Sequence, residues 1–135
     1  MRLSLDRIHR AREVIDPVFL GSPQYACTPL GDALGCEVTL KAETLNPVRS
    51  FKGRGAETGM ARLAVGGLAP AAVCASAGNL GLALAYSGAR RGIPVTVVAA
   101  RTANRLKVDG IRALGATVRL EGEDIEDARA CARDI

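Results

Sequence analysis

Two short segments hold side chains able to do chemistry. In Thr44-Leu45-Asn46-Pro47-Val48-Arg49-Ser50-Phe51-Lys52-Gly53-Arg54-Gly55-Ala56, a loop rich in turn-formers delivers Lys52 to the first turn of a helix. The macrodipole disfavours a cation there, so a solvated surface lysine gains nothing from the placement. A lysine that must shed its proton and attack an aldehyde does gain, because the positive helix end and partial burial both favour the neutral amine. The plainer role is a stem laid over apolar surface with its charge in water, the usual fate of a lone helical lysine.

The second segment is Ala75-Ser76-Ala77-Gly78-Asn79-Leu80-Gly81, where an apolar strand ends and a helix begins. Unpaired N–H groups at a helix start, with the dipole behind them, form a ready anion site. In a parallel sheet, ligands collect at the C-terminal ends of the strands. A purely structural turn, with glycines only for tight geometry, accounts for this segment equally well.

The elements that position these segments alternate regularly. Residues 3–15 predict a short, imperfectly amphipathic helix with Leu3, Leu5, Ile8, Arg12 and Ile15 near one face, stopped by Asp16-Pro17. Residues 18–32 predict a loop, broken by Gly21, Pro23, Pro29 and Gly31, and 36–42 a strand. A helix follows over 51–65 with Ser50 as its N-cap, then a strand at 71–75 and a helix over 79–91. Next come a strand at 95–99, a helix over 104–114, a strand at 117–120 and a helix from 124. The alternation predicts an α/β fold: a three-layer open parallel sheet of about four strands with flanking helices. Such sheets host many unrelated activities, so function rests on the site.

Composition narrows the class. At 135 residues, 48% apolar and 24% charged, the chain predicts one soluble globular domain. Two Phe, two Tyr and no Trp leave the core to Ala, Val, Leu and Ile. The net charge of +4 is spread along the chain, and so few aromatics weigh against nucleic-acid binding. A mildly basic solvated surface accounts for most of it, and a pocket for a small anion accommodates the rest. Cys27, Cys36, Cys74 and Cys131 share no metal or redox spacing, which predicts no metal site and a reducing cytoplasm. Cys74, inside an apolar run, predicts a buried inert thiol. Neither a signal peptide nor a membrane-spanning run is present, so no membrane partner is expected.

Taken together, Ser50-Phe51-Lys52-Gly53-Arg54-Gly55-Ala56 and Ser76-Ala77-Gly78-Asn79 closely resemble the fold-type II pyridoxal-phosphate (PLP) enzymes. These include threonine and serine dehydratases, serine racemases, threonine synthases and cysteine synthases. Thr28-Pro29-Leu30, Val38-Thr39-Leu40-Lys41-Ala42-Glu43, Lys107 and Gly115-Ala116 also fall where that family has similar residues. The resemblance implies that Lys52 binds PLP covalently and shuttles the substrate α-proton. Phe51 would lie against the cofactor, and the Asn79 side chain would hydrogen-bond its phenolic oxygen. Ser76 and the amides of Asn79 and Leu80 would hold the carboxylate of an amino-acid substrate.

Within that family the sequence resembles the threonine/serine dehydratases, ammonia-lyases that convert a β-hydroxy amino acid to a 2-oxo acid and ammonia. Serine racemases have a serine where this chain has Ala77, and a methyl group cannot transfer a proton. Gly53 differs from the aspartate common in threonine synthases. Leu80, where the dehydratases usually carry histidine, and Arg49, in place of a small residue, are departures that bear on substrate preference.

The resemblance also implies a chain more than twice this long and a homo-oligomeric full-length enzyme. A glycine-rich loop for the PLP phosphate and a residue facing the pyridine nitrogen would lie later in it. No tetraglycine-like loop occurs here, and Gly66-Gly67 sits in an unsuitable context. The expectation is an N-terminal fragment or half of a split enzyme, inactive alone. Residues 1–36 would pack as a helix and loop on a missing large domain, and 37–135 would form the truncated cofactor-lysine domain. A second reading is a non-catalytic remnant or interaction subunit of that fold. A third, a nucleotide-binding α/β domain, lacks both a GxGxxG after a strand and a P-loop lysine.

Overall fold

In the computed structural model, the structure describes residues 4–66 and 71–135; Leu3 of the predicted first helix and Gly67 of the glycine pair lie outside them. Ser4 caps α1 (Leu5–Val14), its hydroxyl accepting from the Arg7 amide. Leu5 and Ile8 are exposed, and Ala11 and Ile15 carry the packing of this segment instead. The Asp16 carboxylate then accepts from the Val18 amide at 3.0 Å, setting a 3₁₀ turn, Pro17–Phe19, that drives the Phe19 ring into the core.

The next stretch differs from the sequence expectation. β1 (Gln24–Ala26), α2 (Thr28–Leu34) and β2 (Thr39–Lys41) form a small unit, with Gln24 opposite Lys41 in an antiparallel pair. Residues 18–32 are therefore not simply a loop, and the strand expected at 36–42 belongs to its own two-stranded sheet. The physical reason is size: three-residue strands and a two-turn helix are too short to show a period. Pro29 opens α2 and Gly35, at φ 66°, closes it, the usual division of labour between those residues.

From α3 (Lys52–Val65) onward the alternation is regular: β3 (Ala72–Ala75), α4 (Asn79–Arg91), β4 (Val95–Ala99), α5 (Arg105–Ala113), β5 (Thr117–Leu120) and α6 (Ile125–Arg133). The main sheet is parallel, in the order β3-β4-β5, with Cys74 beside Val97 and Val97 beside Val118. It has three strands, not about four, because residues 39–41 pair elsewhere. Val95 and Val97 pack with Ala85 of α4 and Ile111 of α5 on one face. Val98 points the other way and is fully buried on the side where α6 crosses β3 and β4. These are the three layers expected of the α/β class, and α3 lies on α4 outside them. A Cβ at Gly88 would fall 2.4 Å from Val95 Cγ2 and 2.7 Å from the Ile93 carbonyl, so only glycine lets α4 approach the sheet this closely.

One ion pair fastens the N-terminal segment to α3 and α4. Arg91 donates to both oxygens of the fully buried Glu57 at 2.8 Å and to the Val14 carbonyl at 2.9 Å. The Asp16 amide adds a bond to Glu57 at 3.1 Å. Burial alone would raise the Glu57 carboxyl, but these hydrogen bonds and the Arg91 charge outweigh it and hold the group below its ordinary value.

Candidate functional site

The loop that presents Lys52 is organised by Asn46. Its buried side-chain oxygen accepts from the amides of Val48, at 3.1 Å, and Ser50, at 3.3 Å. Its amide nitrogen donates to the carbonyls of Glu43, at 2.8 Å, and Ser50, at 3.0 Å. Arg49, one residue before that anchored serine, is held at φ 50°, the only left-handed non-glycine residue among those described. Arg54 closes the arrangement from α3, donating to both oxygens of Glu43 at 2.8 and 2.9 Å and to the Phe19 carbonyl at 3.2 Å. The sequence marks Asn46-Pro47 only as a turn; its place at the centre of this network depends on Glu43 and Ser50 lying on either side.

α3 begins at Lys52 with Phe51 as its N-cap, one residue later than expected. Ser50 still contributes, since its hydroxyl accepts from the Lys52 amide at 3.4 Å. Lys52 Nζ lies 5.0 Å from the centre of the Phe51 ring. Both side chains are exposed. The partial burial expected of Lys52 is not found: its side chain projects into the open from the first turn of α3.

The second segment forms the turn from β3 into α4. Ser76 is buried at the end of β3, and its hydroxyl oxygen accepts from the amides of Gly78 and Gly81, each at 3.2 Å. Those bonds fold the turn and leave the hydroxyl proton to donate elsewhere. Among the described residues, the Asn79 and Leu80 amides at the start of α4 meet no protein acceptor. These are the two amides that the family resemblance assigns to the substrate carboxylate.

Asn79 opens a groove of about 650 Å³ between the 46–50 loop, α4 and α5, lined by Val48, Arg49, Asn79, Leu82, Leu106 and Lys107. Lys107, matched by resemblance alone in the sequence, donates from Nζ to Asn79 Oδ1 at 2.9 Å. The structure thus gathers Asn79, Arg49 and Lys107 in one groove, with Ser76 at the root of α4 and Leu80 exposed at its first turn. Lys52 and Phe51 stand at the start of α3, beyond Arg49, and do not line that groove. Nearby on β3, burial pushes the Cys74 thiol up to about 11.

A family model described as "Pyridoxal-phosphate dependent enzyme" matches residues 15–135. The chain is 38% identical over 112 residues to threonine dehydratase 1 biosynthetic, chloroplastic, of Solanum lycopersicum, a match covering 83% of this chain and 18% of that protein. It is 36% identical over 121 residues to L-serine dehydratase/L-threonine deaminase of Homo sapiens, covering 85% of this chain and 37% of that protein. Among solved structures, the processed form of threonine deaminase isoform 2 from Solanum lycopersicum superposes with a TM-score of 0.78 at 31% identity. That superposition covers 98% of this chain and 38% of the other. The chain therefore spans about a fifth to two fifths of the length of the relatives it matches.

Proposed function

The chain belongs to the pyridoxal-phosphate dependent enzymes, and from that premise we propose that it supplies the lysine-bearing part of an ammonia-lyase acting on a β-hydroxy amino acid such as L-threonine or L-serine. The observation that carries this reading is the start of α4, where two unpartnered amides and a buried serine hydroxyl form a cradle of the right charge for a carboxylate. The named activities of the tomato and human relatives point the same way.

The residues fit part of the cofactor. An aldehyde beside a phenolic hydroxyl needs an amine and a hydrogen-bond donor, the roles that Lys52 and Asn79 would fill. PLP, when bound, supplies an electron-withdrawing ring that takes up the electrons left by the substrate α-proton. Lys52 Nζ would hold the cofactor and would be the base for the substrate α-proton. The Phe51 ring, beside Nζ, offers an apolar face to the cofactor. The Asn79 Nδ2 group would donate to the phenolic oxygen. Ser76 and the Asn79 and Leu80 amides would hold the substrate carboxylate at the start of α4. Loss of the β-hydroxyl as water, then hydrolysis, releases a 2-oxo acid and ammonia. Ala77 favours this outcome over racemisation, because its methyl offers no second proton carrier. The phosphate end is different: the sequence holds no glycine-rich run of the kind that would cradle it. The four free cysteines support a reducing, cytoplasmic setting.

The test is release of 2-oxobutyrate from L-threonine, or pyruvate from L-serine, by the complete protein and by the 135-residue chain alone. Release by the complete protein that vanishes in Lys52→Ala is expected. Release that survives Lys52→Ala would overturn the proposal.

A further inference from the structure

Lys107 occupies the first turn of α5, where the positive helix end disfavours a cation. No carboxylate pairs with it among the described residues; its ammonium reaches from one helix start to another and donates to Asn79 Oδ1 at 2.9 Å. An ammonium donates and never accepts, so the amide atom it meets must be the oxygen. The Nδ2 end of Asn79 is thereby turned away from Lys107 with its donors available. An exposed amide without such a partner turns over between its two nearly equivalent orientations. Lys107 is itself well anchored: the Asn104 side chain caps its amide at 3.4 Å, and the next residue, Val108, is buried.

We infer that Lys107 is a positioning residue that locks the Asn79 amide with Nδ2 facing the cofactor's phenolic oxygen. The role rests on Asn79 contacting that oxygen, as proposed for the site. Lys107 acts only through Asn79: its charge beside Oδ1 also polarises the amide and strengthens donation from the other end.

The test is a PLP titration followed by visible absorbance, with the Asn79 side-chain amide followed by NMR in the cofactor-free protein. The variants are Lys107→Met, Lys107→Arg, Asn79→Ala and the double variant Lys107→Met/Asn79→Ala. Lys107→Met should leave thermal stability unchanged, broaden the Asn79 amide signal, shift the cofactor band and weaken PLP binding about threefold to tenfold, the loss expected when the donating orientation is only partly populated. Lys107→Arg, which keeps a donor-only cation, should restore most of the affinity. The double variant should be no worse than Asn79→Ala, because Lys107 then has nothing left to orient. Additive losses would overturn the inference by making Lys107 an independent contact. An effect of Asn79→Ala with none from Lys107→Met would sink the positioning role alone. No effect of Asn79→Ala, or no Lys52-dependent binding at all, would sink the assignment of the site as well.

Discussion

The ring of Phe19 stands where a β-carbon on Gly53 would be: an added Cβ would lie 2.3 Å from Phe19 Cε1 and 2.5 Å from Cδ1. Gly53 follows Lys52 directly, and Phe19 is fully buried, so the N-terminal segment forms the floor under the first turn of α3. Gly53→Ala overpacks that floor. The expected loss is about 1–3 kcal/mol in a denaturant melt, with weaker PLP binding as Lys52 shifts. A variant as stable as the parent would show that Phe19 moves aside freely.

The Glu57–Arg91 pair predicts a larger effect. Arg91→Leu leaves a buried carboxylate without its cation, and the expected loss is about 3 kcal/mol or more. The same pair sets a pH dependence. The Glu57 carboxyl is held below its ordinary 4.5, so its contribution is fully present above that value and is lost as the pH falls through the depressed value. Urea melts from pH 7 to pH 3 should therefore converge for the parent and Glu57→Gln. Parallel curves over that range would contradict the account.

Arg49 sits in backbone space that costs a residue with a side chain about 1 kcal/mol. Arg49→Gly should leave stability unchanged or raise it by up to about 1 kcal/mol, since glycine's greater freedom in the unfolded chain offsets part of the relief. It also removes one cation from the Asn79 groove. A substantial loss in the thermal midpoint would mean that the guanidinium, and not the backbone, matters for folding.

Cysteine reactivity should order by burial. With its thiol at about 11, Cys74 exposes very little thiolate at pH 8, whereas Cys36 is exposed. Alkylation followed by peptide mapping should modify Cys36 first and Cys74 last. Early labelling of Cys74 would mean that β3 opens readily.

How much of this was legible beforehand varied with element length. α4, β4 and β5 follow their predicted boundaries because long periodic or apolar runs, stopped by glycine or proline, leave few alternatives. β1 and α2 were not legible, since three and seven residues carry no period. The strand at 39–41 was visible as a strand, but nothing local says that its partner is Gln24–Ala26 instead of the main sheet. At the site, the strand-to-helix turn itself shows only that free N–H groups stand at the start of α4, and the family resemblance is what singles out Ser76, Asn79 and Leu80. The roles of Asn46, whose importance lies in bonds to Glu43 and Ser50, and Lys107, which meets Asn79 only in three dimensions, could not be read from local sequence.

In the proposed function, Lys52 is the residue that carries the cofactor. Reductive trapping tests it most directly: the protein is incubated with sub-saturating PLP, reduced with borohydride, digested and mapped by mass spectrometry. The sequence contains only Lys41, Lys52 and Lys107 as lysine candidates. The pyridoxyl group should accumulate on the Lys52 peptide, and Lys52→Ala should abolish this labelling without redirecting it. Equal labelling of Lys41, Lys52 and Lys107 would contradict that assignment.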